Sequence, residues 1–352
     1  MMPLPTVAAT LRWKTKTATK FMSAAIIVRT PNWLGDTVMA LPMLAALRAA
    51  EPGARITLAG RWATLLAGQG VADVALPYPR PLAARRRLAR ALAAERADVA
   101  VLLPSSFESA LAAWRWRSAR RVGYATDGRA PFLTDALPLP DPRRHQVDEY
   151  AALLAPLGVS GVAAAPAWTL RHDPAMDAEI ARLLAEAGVA AEARLVGLHL
   201  GAAFGSSKLW PPEAFGRLAH RLTAAGLTSV LLGTEDDAAT AAAVTRAAGA
   251  PIASLVGRDR PALLPRLLAR LGCLVSGDTG VAHLAAAVDV ATVTLFGPTD
   301  RRLTAPRGRK SRALDGSAPC APCFLPRCPI DHVCLTRIEP DEVLREVRRA
   351  VA

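Results

Sequence analysis

The chain has 352 residues, 52% hydrophobic and 21% charged, which is enough apolar material for two packed domains and excludes wholesale disorder. Its net charge of +13, from 43 basic and 30 acidic side chains, points either to an anionic partner or to a solvated arginine-rich face. The longest uncharged run, residues 150–170, is interrupted by Pro156, Gly158, Gly161 and Pro166, which excludes a membrane-spanning helix.

Residues 1–23 form a basic leader with no acidic residue and no uninterrupted apolar core of the kind a secretory signal needs. It is expected to be disordered, and the protein cytoplasmic. Residues 24–29 then read as a buried strand, 30–35 as a loop and 36–50 as a helix. Further strands are expected at 55–59, 74–76 and 98–103, with helices between them. A low-complexity stretch, 159–168, separates these from a second series: strands at 194–200, 229–232, 273–276 and 291–295, and helices at 212–225, 236–248, 262–271 and 281–287. The alternation predicts a parallel α/β architecture of two doubly wound units, 24–170 and 171–338, followed by a helix over 339–352.

Both series contain a strand, then Gly-Asp-Thr, then a helix: Gly35-Asp36-Thr37 and Gly277-Asp278-Thr279. Ligands of open α/β sheets bind beyond the carboxyl ends of strands, beside helix N-termini, so the two triplets locate the chemistry. Asp36 would either cap its helix or act on a ligand. The preceding turn, with Asn32, Trp33 and Gly35, suits binding better than mere connection.

A second loop, 201–211, delivers Lys208 after a glycine- and serine-containing turn. The chain has only five lysines, Lys14, Lys16, Lys20, Lys208 and Lys310, so a compact ammonium at this place is conspicuous. Amides and an ammonium suit phosphate oxygens, although the sequence is neither a P-loop nor a GxGxxG fingerprint. In the third cluster, Thr279 and Gly280 would offer free amides to a diphosphate. His283, one turn further in, is either a ligand of the same group or a satisfied core histidine. Glu235, after the 229–232 strand, would bind ribose or sugar hydroxyls, or simply favour the start of its helix.

Cys320, Cys323, Cys328 and Cys334 fall close together with His332 nearby, while Cys273 stands apart in a strand. In a reducing compartment such a block favours a structural zinc or iron site over disulfides, with free thiols as the alternative.

The text 29–42, the 201–211 loop ending Lys-Leu-Trp-Pro, and 277–287 together resemble the ADP-heptose:lipopolysaccharide heptosyltransferases, glycosyltransferase family 9, and within them the type II enzymes. The resemblance extends over about residues 24–350. It implies a GT-B fold, in which two Rossmann-like domains face a central cleft: 24–170 binding the acceptor, 171–338 binding the ADP-sugar and carrying the Cys-rich segment 320–334, and the last helix, 339–352, returning to the first domain. Asp36 would be the general base, Lys208 a diphosphate ligand and Glu235 a nucleotide or sugar ligand. Asp278, Thr279, Gly280 and His283 would form the donor loop, and Asn32, Trp33 and Gly35 the acceptor loop.

The implied reaction is inverting, metal-independent transfer of L-glycero-D-manno-heptose from ADP-heptose to the phosphorylated lipid A–inner core acceptor, with peripheral contact at the anionic cytosolic face of the inner membrane. Family members with other acceptors, either the first core position or a protein, remain alternatives. His199-Leu200 and Leu209 depart from the Asn-Pro and Arg common in the family, which bears on donor-loop detail. A non-catalytic nucleic-acid-binding protein would also account for the basic charge. The sequence lacks aromatic–basic interleaving and a recognition helix, so nucleic acid is not an expected partner.

Overall fold

The computed structural model describes residues 24–258 and 260–351; the leader 1–23, with the expectation attached to it, lies outside the described residues. The aliphatic runs pair into two six-stranded sheets whose strand pairs are parallel. The first comprises β1 (Ala25–Arg29), β2 (Arg55–Gly60), β3 (Val74–Pro77), β4 (Val99–Leu102), β5 (Arg120–Tyr124) and β6 (Asp135–Leu137), in the order β3-β2-β1-β4-β5-β6. The second comprises β7 (Leu195–His199), β8 (Thr228–Leu232), β9 (Ala253–Ser254), β10 (Cys273–Gly277), β11 (Ala291–Phe296) and β12 (Ser311–Asp315), in the order β12-β11-β10-β7-β8-β9. Both sheets have the doubly wound order, so each reverses direction once: between β1 and β4, and between β7 and β10. The three loops singled out in the sequence follow β1, β7 and β10, so all three open at a switch point.

Thirteen α-helices clothe the sheets among the described residues: α1 (Leu34–Met39), α2 (Leu41–Ala50), α3 (Leu82–Ala94), α4 (Phe107–Arg115), α5 (Gln146–Ala152), α6 (Pro174–Glu186), α7 (Pro212–Ala224), α8 (Ala238–Ala248), α9 (Leu264–Ala269), α10 (Gly280–Ala287), α11 (Arg301–Thr304), α12 (Val333–Thr336) and α13 (Pro340–Val351). The single helix expected over 36–50 is in fact two. Pro42 has no amide to continue a ladder and sits in the first turn of α2, so a new helix starts there after a break at Ala40.

Three hydrophobic clusters hold the layers together. Leu92, Ala110, Ala113 and Trp116 pack α3 and α4 on one face of the first sheet. Trp210, Leu218, Val244 and Val347 pack α7, α8 and α13 on the outer face of the second. The largest cluster runs without interruption from one unit to the other, from Val38, Leu44 and Leu47 to Leu267, Leu274 and Leu284. Leu44 and Leu47 are fully buried, and truncating either to Ala would cost about 3 kcal/mol.

The two units meet where α1 crosses α10, and glycines make the crossing possible. A Cβ on Gly280 would lie 2.7 Å from the Gly35 amide nitrogen, and one on Gly35 would lie 2.8 Å from the His283 ring. The crossing is reinforced elsewhere. The His145 Nε2–H donates to the Ala305 carbonyl at 2.9 Å, Arg307 grips Asp148 with two bonds of 2.6 Å, and the Trp168 amide donates to the Ala287 carbonyl at 2.9 Å.

The C-terminal helix does not return to the first domain as expected. The apolar stripe of α13 (Val343, Leu344, Val347) joins the second unit's outer core, against α7, β10 and β11. Trp210 Nε1–H donates to the Ile338 carbonyl at 3.2 Å, and Arg221 pairs with Asp341. An amphipathic helix needs one apolar partner surface, and the uncovered face of the second sheet is the nearest one.

Candidate active site

The loop after β1 is built on a buried arginine. The Arg29 guanidinium stacks on the Tyr78 ring, 3.9 Å from its centroid, and donates to the Thr30 carbonyl and, at 2.8 Å, to the Asn32 side chain. Asn32 therefore shapes the turn through Arg29. Trp33, 50% exposed, sits at the rim, and Gly35 is buried under α10. Trp33 also occupies the N-cap position of α1, with φ −98° and ψ 145°, while Thr37 Oγ1–H donates back to its carbonyl at 2.9 Å.

This register takes Asp36 out of the capping role. It lies inside the first turn, and its carboxylate has no hydrogen-bond partner among the described residues. Burial and the nearby Asp278 raise its pKa to about 6, even though Lys208 pulls the other way.

Lys208 ends a 3-10 turn, Ser206–Lys208, and reaches across to the β10 loop. Its Nζ donates to the Asp278 Oδ2 at 2.6 Å and to the Asp278 carbonyl at 3.0 Å, and both side chains are largely buried. Asp278 Oδ2 also accepts from Thr299 Oγ1–H at 2.8 Å. Two of the three ammonium protons of Lys208 are thus engaged, and the Phe204 ring lies 4.9 Å from the same nitrogen.

Next to this pair, α10 begins without a side-chain cap. The Thr279 hydroxyl lies 2.9 Å from Ser276 Oγ, which in turn lies 3.3 Å from His199 Nδ1. Because Thr279 is turned toward Ser276, the first-turn amides of α10 stay open, and the helix dipole adds positive potential. Burial lowers both His199 and His283 to about 4, so both rings are neutral near pH 7. His283 packs its ring against Gly35 and so serves the crossing of the two units.

Asp36, Lys208, Asp278, Thr279, Gly280 and His283 therefore converge on one region. Glu235 stands apart, exposed in a 3-10 turn after β8 that a Thr234–Asp237 capping box holds. In the order β10-β7-β8 it is two strands from α10, or about 10 Å along the sheet edge.

The cysteine block does not assemble as expected. Among the described residues, no group of three or more His, Cys, Asp or Glu side chains is disposed to hold a metal ion. Cys334 is buried with its sulfur against Gly297, whereas Cys320 is exposed and Cys323 and Cys328 are partly so. Burial pushes the Cys334 thiol up, and the neighbouring Cys320, Cys328 and Cys323 add to the shift. The four are near neighbours in space, but they differ in exposure, from buried Cys334 to exposed Cys320.

Sequence reasoning missed Thr299 and Tyr150. Thr299 follows β11, whose carboxyl end lies beside that of β10, so the switch-point rule extended by one strand would have found it. Tyr150 on α5 is a buried neighbour of Asp36, and burial together with the Asp36 and Glu149 carboxylates holds its phenol well above the usual range. No local pattern marks it.

Comparison with known proteins identifies the family and the fold. A family profile, glycosyltransferase family 9 (heptosyltransferase), matches residues 85–334. Lipopolysaccharide heptosyltransferase 2 of Salmonella typhimurium is 30% identical over 310 residues, covering 82% of this chain and 87% of the relative. The structure of E. coli ADP-heptose LPS heptosyltransferase II superimposes with a TM-score of 0.77 at 25% identity, covering 93% of this chain and 98% of that one. An E. coli heptosyltransferase solved with ADP-2-deoxy-2-fluoro heptose shares the fold, with a TM-score of 0.67 at 20% identity over 92% and 99% of the two chains. The paired doubly wound sheets are thus the GT-B architecture, and the chain belongs to glycosyltransferase family 9, the heptosyltransferases.

Proposed function

We propose that the protein transfers L-glycero-D-manno-heptose from ADP-heptose to a hydroxyl of the lipopolysaccharide inner core, with inversion at the anomeric carbon and without a metal ion. The observation that carries this reading is the convergence of Asp36, an unpaired carboxylate with a pKa of about 6, on Lys208 and the uncapped N-terminus of α10. A base poised near the working pH takes the acceptor proton as the new carbon–oxygen bond forms. The bond from the anomeric carbon to the diphosphate breaks on the opposite side, and the charge left on ADP meets the Lys208 ammonium and the α10 amides. One cation and preoriented amides suffice for that charge. Asp278, oriented by Thr299, keeps Lys208 in register. The roughly 10 Å between α10 and Glu235 suits a diphosphate joined to a ribose, whose hydroxyls Glu235 would accept from.

The acceptor is phosphorylated and lipid-anchored, which fits a peripheral protein. Among the described residues no helix is long and apolar enough to cross a membrane. The outer layer of the first unit carries Arg86, Arg87 and Arg90 on α3 next to exposed Leu82, Phe107 and Trp114, a combination suited to an anionic lipid surface.

The test is incubation of purified enzyme with ADP-heptose and defined core acceptors, with and without EDTA, reading product linkage by NMR. Inverted heptoside on a heptose-bearing acceptor, unaffected by EDTA, is expected. Transfer only to a heptose-free acceptor would assign the first core position instead. Sedimentation with phosphatidylglycerol vesicles but not with phosphatidylcholine vesicles tests the membrane face.

A further inference from the structure

The Cys-rich segment has no role in the site described above, yet it lies directly against the loop that carries Lys208. Buried Ser207 donates its hydroxyl to the Leu325 carbonyl at 2.6 Å and its amide to the Pro326 carbonyl at 3.2 Å. Phe324 donates its amide to the Pro298 carbonyl at 2.7 Å, one residue before the Thr299 that holds Asp278. Gly205, at φ +150°, approaches Pro326 so closely that any Cβ would overlap the Pro326 carbonyl oxygen. From the opposite side, a Cβ on Gly277 would lie 2.6 Å from the Lys208 carbonyl oxygen. The Lys208 loop is therefore clamped between the end of β10 and residues 324–326.

We propose that residues 324–326 are a positioning strap for the donor site, which sets the affinity for a nucleoside diphosphate by fixing the loops of Lys208 and Asp278 relative to each other. The proposal rests on the donor reading above. Phe324 and Leu325 are exposed, so little apolar burial holds the strap down; its attachment is these three hydrogen bonds, with the chain re-entering the core at Cys334. A ligand on Lys208 orders the loop, and through Ser207 it orders the strap. The coupling is reciprocal, so loosening the strap weakens the ligand. Cys323 and Cys328 bracket the strap and report on it, which gives the cysteine block a use independent of metal.

The experiment is calorimetric titration of the full-length protein and of Ser207→Ala with ADP, combined with steady-state kinetics. Loss of one buried side-chain bond is expected to weaken ADP about five-fold and to raise KM for ADP-heptose by the same factor, while kcat and the acceptor KM stay within about two-fold. In a second measurement on the unaltered protein, saturating ADP is expected to slow maleimide labelling of Cys323 and Cys328 about three-fold, read by peptide mass spectrometry. In Ser207→Ala this protection is lost. Equal ADP affinity in the two proteins, or labelling rates that ignore ADP, would overturn the strap. Failure of the unaltered protein to bind ADP at all would overturn the donor reading, and the strap with it.

Discussion

Gly35-Asp36-Thr37 and Gly277-Asp278-Thr279 repeat the same three residues after a strand, yet the two carboxylates live in opposite surroundings. Asp278 precedes its helix and is paired through Oδ2 with Lys208 and Thr299. Asp36 falls inside the first turn of α1, unpaired and half-buried, and is pushed up to about 6. The difference is one of register: Trp33 takes the cap position in the first case and Thr279 in the second. Nor are the triplets copies inherited from a duplicated unit. β1 is the first strand of its sheet and β10 the fourth of its own; the counterpart of β1 is β7, which leads to Lys208. Identical text therefore yields an unpaired carboxylate in one place and a paired one in the other, because the elements around it differ.

The contrast breaks most decisively at Asp36. Asp36→Asn should lower kcat by about a thousand-fold while ADP affinity stays near that of the unaltered protein, as turnover assays and calorimetry would show. Undiminished turnover would mean the two aspartates do not divide the work in this way. The folded protein holds the Asp36 proton more tightly than the unfolded chain does, so stability is lost as pH rises from 3.8 to about 6 and the cost is constant above that. The same variant should accordingly melt a few degrees higher at pH 7.5.

Lys208→Met should slow transfer about a hundred-fold and weaken ADP. It should also destabilise the fold by about 3 kcal/mol in urea titrations, because it strands Asp278 in a buried site.

The pH profile sharpens the comparison further. Because Asp36 must be ionised to accept a proton, kcat/KM should fall ten-fold per pH unit below about 6. Asp278→Asn removes a repulsive neighbour and should move this limb to lower pH. Lys208→Met removes an attractive one and should move it higher.

A smaller effect is expected at the crossing of the units. Gly280→Ala meets the Gly35 amide nitrogen at 2.7 Å and should cost about 2 kcal/mol, whereas Gly35→Ala meets the His283 ring at 2.8 Å and the Gly280 backbone only at 3.3 Å and should cost less. The smallest is Arg307→Ala, where a partly exposed pair with Asp148 is lost at about 0.5 kcal/mol.

The sheets were legible because their central strands are continuous aliphatic runs bounded by loops, as in Ala25–Arg29 and Cys273–Gly277. The edge strands were not: β9 has two residues and β6 three, too short to display a period. The junction residues Asp36, Lys208 and Asp278 could be found because switch-point loops follow from strand order alone. Tyr150 and the Ser207–Leu325 contact could not, since both depend on packing between elements far apart in sequence. The destination of α13 was misread for a related reason. Its stripe of Val343, Leu344 and Val347 declares an apolar face without naming the surface that covers it.

The Gly35–Gly280 crossing carries a mechanical consequence. Backbones that touch act as a fulcrum, and atoms beside a fulcrum travel least when the two bodies rock. Asp36 is one residue from Gly35, and Asp278 two from Gly280, so the two carboxylates keep their spacing through such a motion. The bonds of His145 to Ala305 and of Arg307 to Asp148 tie the same two units and would limit how far such a rocking goes.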